Sequence, residues 1–332
     1  MINDFAKRHK LPAFRIRQFR EGYYQHANSS ISELFVWPKE LRDAYSKEET
    51  WSTLQVIREL SSKEQDTTKT LFKLQDGITI EAVLMRHRDG RNTVCVSSQS
   101  GCPVGCYFCA TGKLGLRRNL TAEEIIDQVL HFARILKTEK KEVSKIVFMG
   151  MGEPMLNIKN VSQAIYTLTD PKHLGMGDRR ITVSSSGYVP HLKQFIDAGY
   201  KGKLAISLHA PNQEIRLKIM RVAKLFSFSD VIGIGDYYIK KVGRRLSYEY
   251  ILLKNINDSP ECARELASVL SGKLVHVNLI PYNPVPGTGF EKPSTDVMQN
   301  FSKILSDHGI TNTLRVTMGD SIKAACGQLD GS

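Results

Sequence analysis

The stretch Thr93-Val94-Cys95-Val96-Ser97-Ser98-Gln99-Ser100-Gly101-Cys102-Pro103-Val104-Gly105-Cys106-Tyr107-Phe108-Cys109 joins a β-rich run to a C-x3-C-x2-C loop. Iron-sulfur clusters are usually held by four thiolates, so an electron carrier would be expected to complete the set. Three thiolates in one loop leave one iron of such a cluster open to a substrate or cofactor. Two other readings compete. A zinc knuckle needs a fourth Cys or His at short spacing, and the nearest histidines, His87 and His131, match no zinc pattern. The other is a set of three structural thiols. The missing fourth ligand favours the open cluster.

Beyond the loop, short β-rich runs alternate with helical ones. The β-rich runs are Thr93 to Gln99, Lys145 to Met149, Arg180 to Ser185, Lys203 to His209, Ser247 to Leu253, His276 to Tyr282 and Thr313 to Met318. This alternation implies an α/β fold with a parallel sheet and right-handed crossovers. The helix after the loop has its own start signal, Thr121 with Glu124 three residues on. Ile125, Ile126, Val129, Leu130 and Ala133 then fall on its buried side. In barrels of this type, active residues sit at the C-terminal ends of strands. The cysteine loop follows the first run and Gly150-Met151-Gly152-Glu153-Pro154 the second. Ser184-Ser185-Ser186-Gly187 ends the third, Ser207-Leu208-His209 the fourth and Tyr282-Asn283-Pro284 the sixth. These motifs are expected to converge on one mouth.

The 332 residues, 41% of them hydrophobic, leave room for one large core and a small extra domain. Residues 1–50 read as helical, residues 51–91 as a small β-rich connecting segment, and residues 92–332 as the main domain. In the first segment Ile16, Phe19 and Tyr23 recur at helical spacing, with Arg17, Arg20 and Tyr24 on a neighbouring face. Basic residues interleaved with aromatics suit a structured RNA, and an ordinary amphipathic helix is the alternative. Lys and Arg total 46 against 34 Asp and Glu, a net charge of +12 that suits a polyanionic partner, most simply nucleic acid. No apolar run reaches the roughly 18 residues of a membrane span, and Met1 to Arg8 lack a signal peptide's apolar core. A cytoplasmic protein is expected. Six cysteines, three in one loop, are few for a disulfide framework.

The C-x3-C-x-Phe-C loop after the first strand, with Gly-Glu-Pro after the second, resembles the radical S-adenosylmethionine superfamily. The resemblance implies a partial (β/α)6 barrel with a small N-terminal helical accessory domain. It implies a [4Fe-4S] cluster on Cys102, Cys106 and Cys109, whose open iron chelates the amino and carboxyl groups of S-adenosylmethionine. Reductive cleavage of that cofactor gives a 5′-deoxyadenosyl radical, with the protein supplying placement. Gly152, Glu153, Ser184, Ser207, Leu208, His209 and Asn283 match the superfamily's cofactor contacts, the Glu153 carboxylate being suited to the methionine ammonium. A narrower resemblance rests on Val94 to Cys102, Phe148 to Pro154, Ser207 to Pro211, Val277 to Pro284 and Ala324 to Leu329. Over about residues 92–330 these are similar to the RlmN/Cfr family of RNA adenine methyltransferases. The N-terminal part fits that family's helical accessory domain more loosely.

The family resemblance implies methylation of C2 of an adenosine in 23S ribosomal RNA and of the adenosine 3′ to the anticodon in tRNA. Adenine C2 is electrophilic, so the methyl group must arrive as a radical. By the resemblance, Cys326 becomes S-methylcysteine at the cost of one S-adenosylmethionine, and the radical from a second activates that methyl group for addition to the base. Cys95 then attacks the Cys326 sulfur, leaving a transient disulfide as product departs. Glu81, in Ile80-Glu81-Ala82-Val83, matches the family's proton acceptor. A flavodoxin-type electron donor, a monomer and no membrane association are also expected. Pro154 favours C2, because C8-methylating members tend to have Gly-Glu-Ala there. C8 methylation, a non-catalytic iron-sulfur RNA-binding protein and radical chemistry on a small molecule are the alternatives. Cys262 matches no functional position and is expected to be structural. Two departures stand out: Met220 is followed by Arg221-Val222-Ala223 rather than a Pro-Ile-Asn run, and Ser321 replaces an Asp before Ile322.

Overall fold

All seven β-rich runs pair side by side in the computed structural model, which describes residues 2–332. The N-terminal region contributes α1 (Ile2–Arg8), α2 (Ala13–Arg20) and α3 (Lys39–Glu48). Three strands follow, β1 (Leu54–Ser61), β2 (Thr67–Leu74) and β3 (Thr79–Arg86), and then β4 (Asn92–Cys95). The cysteine loop lies between β5 (Gln99–Cys102) and α4 (Ala110–Lys113), with β6 (Gly115–Asn119) pairing back on β5. From there helices and strands alternate: α5 (Ala122–Thr138), β7 (Lys145–Phe148), α6 (Ile158–Thr169), β8 (Ile181–Ser185), α7 (Val189–Asp197) and β9 (Lys203–Ser207). Next come α8 (Gln213–Ile219), α9 (Phe228–Val242), β10 (Leu246–Leu252), α10 (Pro260–Leu270), β11 (Val275–Pro281), α11 (Thr295–Asp307) and β12 (Asn312–Leu314).

One ten-stranded sheet runs β1-β2-β3-β4-β7-β8-β9-β10-β11-β12. From β4 through β12 every pairing is parallel, because each crossover carries a helix back across the sheet. Six of these strands, each followed by helix, form the partial barrel, and the short β12 extends its far edge. The three strands β1 to β3 are antiparallel and hydrogen-bond directly onto β4. The alternating residues of segment 51–91 thus lengthen the barrel's own sheet.

Local signals explain the boundaries. Thr121 and Glu124 form the expected capping box at the start of α5, which buries Ile125, Ile126, Val129 and Leu130. The N-terminal helices pack an aromatic group of Phe5, Phe19, Tyr23, Trp37 and Tyr45, all buried, into the apolar cluster that runs through the barrel. Asp127 of α5 ties the two together. It accepts hydrogen bonds from the Tyr23 hydroxyl, from the Thr53 amide and hydroxyl at 2.7 Å each, and from Ser52 at 3.1 Å. Tyr24 is half-buried, edge-on to His173, whereas Arg17 faces solvent. Cys262 is buried in α10 among the core residues. No helix among the described residues is long and apolar enough to cross a membrane.

Candidate active site

The polar motifs meet at the C-terminal ends of the parallel strands. A cavity of about 160 Å³ there is lined by the cluster-loop thiols of Cys102, Cys106 and Cys109, by Gly152, Glu153, Ser184, Ser207 and His209, and by Cys326. A larger hollow, about 1010 Å³, lies between the N-terminal helices and the opposite end of the barrel, near Val143 and Arg180, and no cysteine lines it. Chemistry needs reactive groups, so the smaller cavity is the site.

The cysteine loop rests on its own apolar bed of Val104, Phe108, Ile219, Met220, Val222, Ile251, Leu253 and Tyr282. Burial raises all three loop thiols above the ordinary cysteine value, Cys102 to about 12. Such thiols ionise in place only when a cation or metal compensates them. No three metal-binding side chains among the described residues converge closely enough to share a single ion. Three thiols around one cavity, spread wider than a mononuclear site, fit a cluster whose ligands bind different irons. Cys102, Cys106 and Cys109 would hold it and leave one iron free.

Glu153 lines the same cavity. The chain reaches it through Gly152, whose φ of +101° suits glycine, and an added Cβ there would sit 2.5 Å from the Gln99 Cβ. Gln99 accepts the Glu153 amide proton at 2.8 Å. The Glu153 carboxylate is buried and accepts from the Met155 amide at 3.1 Å and from the amide and hydroxyl of Ser186 at 2.7 Å each. Burial nevertheless pushes its pKa up, so a cationic ligand group would be welcomed there.

His209 holds the left-handed conformation, φ +59°, unusual for a bulky residue. The amides of Leu208 and His209 both donate to the Glu249 carbonyl at 3.1 Å, and Asn257 donates to the His209 carbonyl at 2.7 Å. The His209 Nδ1 accepts from the Ile251 amide at 3.0 Å, so Nε2 carries the proton of the neutral ring. Burial, with Arg216 adding to it, lowers the His209 pKa to about 3, so the ring stays neutral at physiological pH. Leu208 is fully buried beneath this turn. Asn283 is buried too, and its amide donates to the Cys326 carbonyl at 3.1 Å, linking the end of β11 to the C-terminal loop.

Cys326 is exposed at the cavity, while Cys95, at the end of β4, is buried. Each sulfur lies within the field of Arg315, and burial, followed by Cys326, pushes Cys95 to about 12. Glu81 does not line the cavity. It is fully buried on β3, paired with Lys69 at 2.6 Å, and its other oxygen accepts from the amides of Asp330 and Gly331 at 2.9 and 3.0 Å. It therefore anchors the tail that follows Cys326.

Several site residues were missed by sequence reading. Glu249 on β10 and Arg315 just after β12 form an ion pair at 3.1 Å on the Cys326 side of the cavity, with Asn278 donating to Glu249 at 2.8 Å. Glu249 offered a signal, a charge within an otherwise apolar strand; Arg315 offered none. Arg216 on α8 is fully buried and donates to the Ser186 carbonyl at 2.7 Å. The departure at Arg221 also falls here. Its guanidinium stacks over Tyr107, 5.2 Å from the ring centre, and its stem lies against Gly105 of the cluster loop.

A three-thiol loop at the mouth of a partial α/β barrel is the arrangement of the radical S-adenosylmethionine superfamily, whose sequence model matches residues 96–266. A crystal structure of a radical SAM methyltransferase from Sphaerobacter thermophilus superposes with a TM-score of 0.96 at 40% identity, covering 100% of this chain and 97% of that one. The chain is 42% identical to ribosomal RNA large subunit methyltransferase N of Nitrosopumilus maritimus, over 95% of this chain and 92% of that protein. It is also 42% identical to the probable dual-specificity RNA methyltransferase RlmN of Dictyoglomus thermophilum, over 99% of this chain and 93% of that protein. The chain belongs to the RlmN family of radical SAM methyltransferases.

Proposed function

We propose that this enzyme methylates C2 of an adenosine in 23S ribosomal RNA and of the adenosine 3′ to the anticodon in tRNA, through a methylated Cys326. The observation that carries this reading is Cys326 itself, an exposed residue on the wall of the same cavity that the cluster loop lines. An RNA-binding protein that used a cluster for structure would need no nucleophile there.

When bound, the cluster supplies the electron that cleaves S-adenosylmethionine to a 5′-deoxyadenosyl radical. Cys102, Cys106 and Cys109 hold it, while Glu153 receives the methionine ammonium. Ser184, Ser207, Leu208, His209 and Asn283 surround the rest of the cofactor, the neutral His209 presenting Nε2–H as a donor. Cys326 Sγ would lose its proton and take a methyl group from one S-adenosylmethionine; with a hydrogen atom then removed from that methyl group by the radical from a second, the remaining methylene would bond to the adenine carbon. Glu81 takes the proton from that carbon, which requires the tail at Asp330 and Gly331 to release its carboxylate. The adduct radical would return one electron to the oxidised cluster, Cys95 as thiolate would bond to Cys326 Sγ as the carbon–sulfur bond breaks, and the methylene left on the base would take up a proton to become the methyl group. The adenine must leave its stack to reach so recessed a site. A low-potential carrier of flavodoxin type supplies the electrons.

The test is nucleoside mass spectrometry, against authentic standards, of 23S rRNA and tRNA from cells lacking the modification. The RNA is incubated without oxygen with reconstituted protein, S-adenosylmethionine and reductant. 2-Methyladenosine from both RNAs is expected. 8-Methyladenosine would move the enzyme to the C8 branch, and cofactor cleavage without any methylated adenosine would overturn the RNA assignment.

A further inference from the structure

Arg216 is the least accountable charge in the molecule. Its side chain is fully buried, and no carboxylate pairs with it among the described residues. Nη2 donates to the Ser186 carbonyl at 2.7 Å and Nη1 reaches the Phe226 carbonyl at 3.5 Å, while Nε has no partner. Carbonyl dipoles do not neutralise a guanidinium, and an uncompensated buried cation is strongly destabilising. A protein that keeps such a charge usually has an anion to meet it.

The surroundings indicate where that anion lies. Ser186, which Arg216 holds by its carbonyl, holds Glu153 by its amide and hydroxyl, so Arg216 stands directly behind the cavity wall. Cys106 of the cluster loop lies close enough to Arg216 for the fields of the two side chains to act on each other. On its other side Arg216 helps keep His209 neutral, so no second cation competes for the space.

We propose that Arg216 is a positioning residue for the iron-sulfur cluster, the buried counter-charge that offsets the anionic cluster from behind and holds its reduction potential up. This rests on the cluster reading of the three-thiol loop. Three thiolates around a dipositive core leave a net negative charge, which one-electron reduction increases. Net charge around a cluster is among the factors that set its potential. A fixed cation behind the cavity wall, in a medium of intermediate dielectric, favours the reduced state by about tenfold. Arg216 suits this role because its guanidinium does not titrate in the working range, and Ser186 and Phe226 fix its orientation.

The test uses the full chain with reconstituted cluster and no S-adenosylmethionine, comparing wild type with Arg216→Met, Arg216→Gln and Arg216→Lys. Iron and sulfide content establishes loading, and a redox titration followed by electron paramagnetic resonance gives the midpoint potential. Removing the charge should shift that potential negative. At the potential that half-reduces the wild-type cluster, the Met and Gln variants should show about a tenfold lower ratio of reduced to oxidised cluster, and Lys should recover most of it. Gln retains hydrogen-bonding capacity toward Ser186, so it carries the comparison if Met fails to fold. Equal potentials in loaded wild type and charge-free variants overturn the proposal, and if a separate equilibrium titration of the same loaded proteins with S-adenosylmethionine then shows lost affinity, Arg216 serves the cofactor's carboxylate instead. Wild type that takes up no cluster would sink the functional reading itself, which separates the two failures.

Discussion

The two walls of the cavity handle charge in opposite ways. On the Cys326 wall, Glu249 and Arg315 meet at 3.1 Å and Asn278 completes the acid's hydrogen bonds, so that side is electrostatically closed within the chain. On the cluster wall, Arg216 is buried without a carboxylate and three half-buried thiols stand with raised pKa values. That side is balanced only when three thiolates and their irons are in place. On the proposed function, one wall serves a nucleophile belonging to the protein, and the other serves a group that must be loaded. The two should fail separately.

Cys106→Ala should have the largest effect. With one of three ligands gone, cluster content falls, and both cofactor cleavage and RNA methylation disappear in the product assay. Cys326→Ala should leave the cluster wall intact, so iron content and uncoupled S-adenosylmethionine cleavage persist while methylated adenosine vanishes. Cleavage lost together with methylation in Cys326→Ala would show that the walls are not independent. Arg315→Met should do less. It strands a buried Glu249, but a third of the Arg315 side chain is exposed, so the cost should fall near 2 kcal/mol, below the roughly 3–5 kcal/mol of a fully buried pair. Urea unfolding measures it, and an unchanged midpoint would show that the pair contributes nothing to stability.

The sequence was most legible where spacing alone carries meaning. The cysteine loop, the capping box at Thr121 and Glu124, and the alternation of strand and helix all depend on local residue order, and the seven β-rich runs appear as adjacent parallel strands. The motifs Gly152-Glu153, Ser184, Ser207 and His209 reach one cavity because the strand-end rule carries them there. What local order could not show are the partners. Arg216 meets Ser186, 30 residues away, and Arg315 meets Glu249, 66 residues away. Such pairs exist only once the sheet has closed. Glu81 illustrates the same limit from the other side: its strand was readable, but its ties to Lys69 and to the tail amides of Asp330 and Gly331 were not.

The smallest predicted effect concerns how the closed wall prepares its nucleophile. Although Cys326 as a residue is exposed, its sulfur is recessed in the cavity wall, and that loss of solvent raises the thiol above its ordinary value, while Arg315 pulls it down and Glu249 pushes it up again. A raised pKa means that the thiol form dominates near neutrality, and the reactive thiolate grows about tenfold per pH unit until the pKa is reached. In cluster-loaded protein, whose loop thiols are tied up, alkylation of Cys326 should therefore accelerate steadily from pH 7 to 9. Cys95, held at about 12, should stay unreacted over that range, and peptide mass spectrometry separates the two. Arg315→Met should displace the Cys326 profile toward higher pH and Glu249→Gln toward lower, because each removes one of two opposed fields. Coincident profiles in the three proteins would mean that the ion pair only holds the β10 and β12 strand ends together and leaves the nucleophile to burial alone.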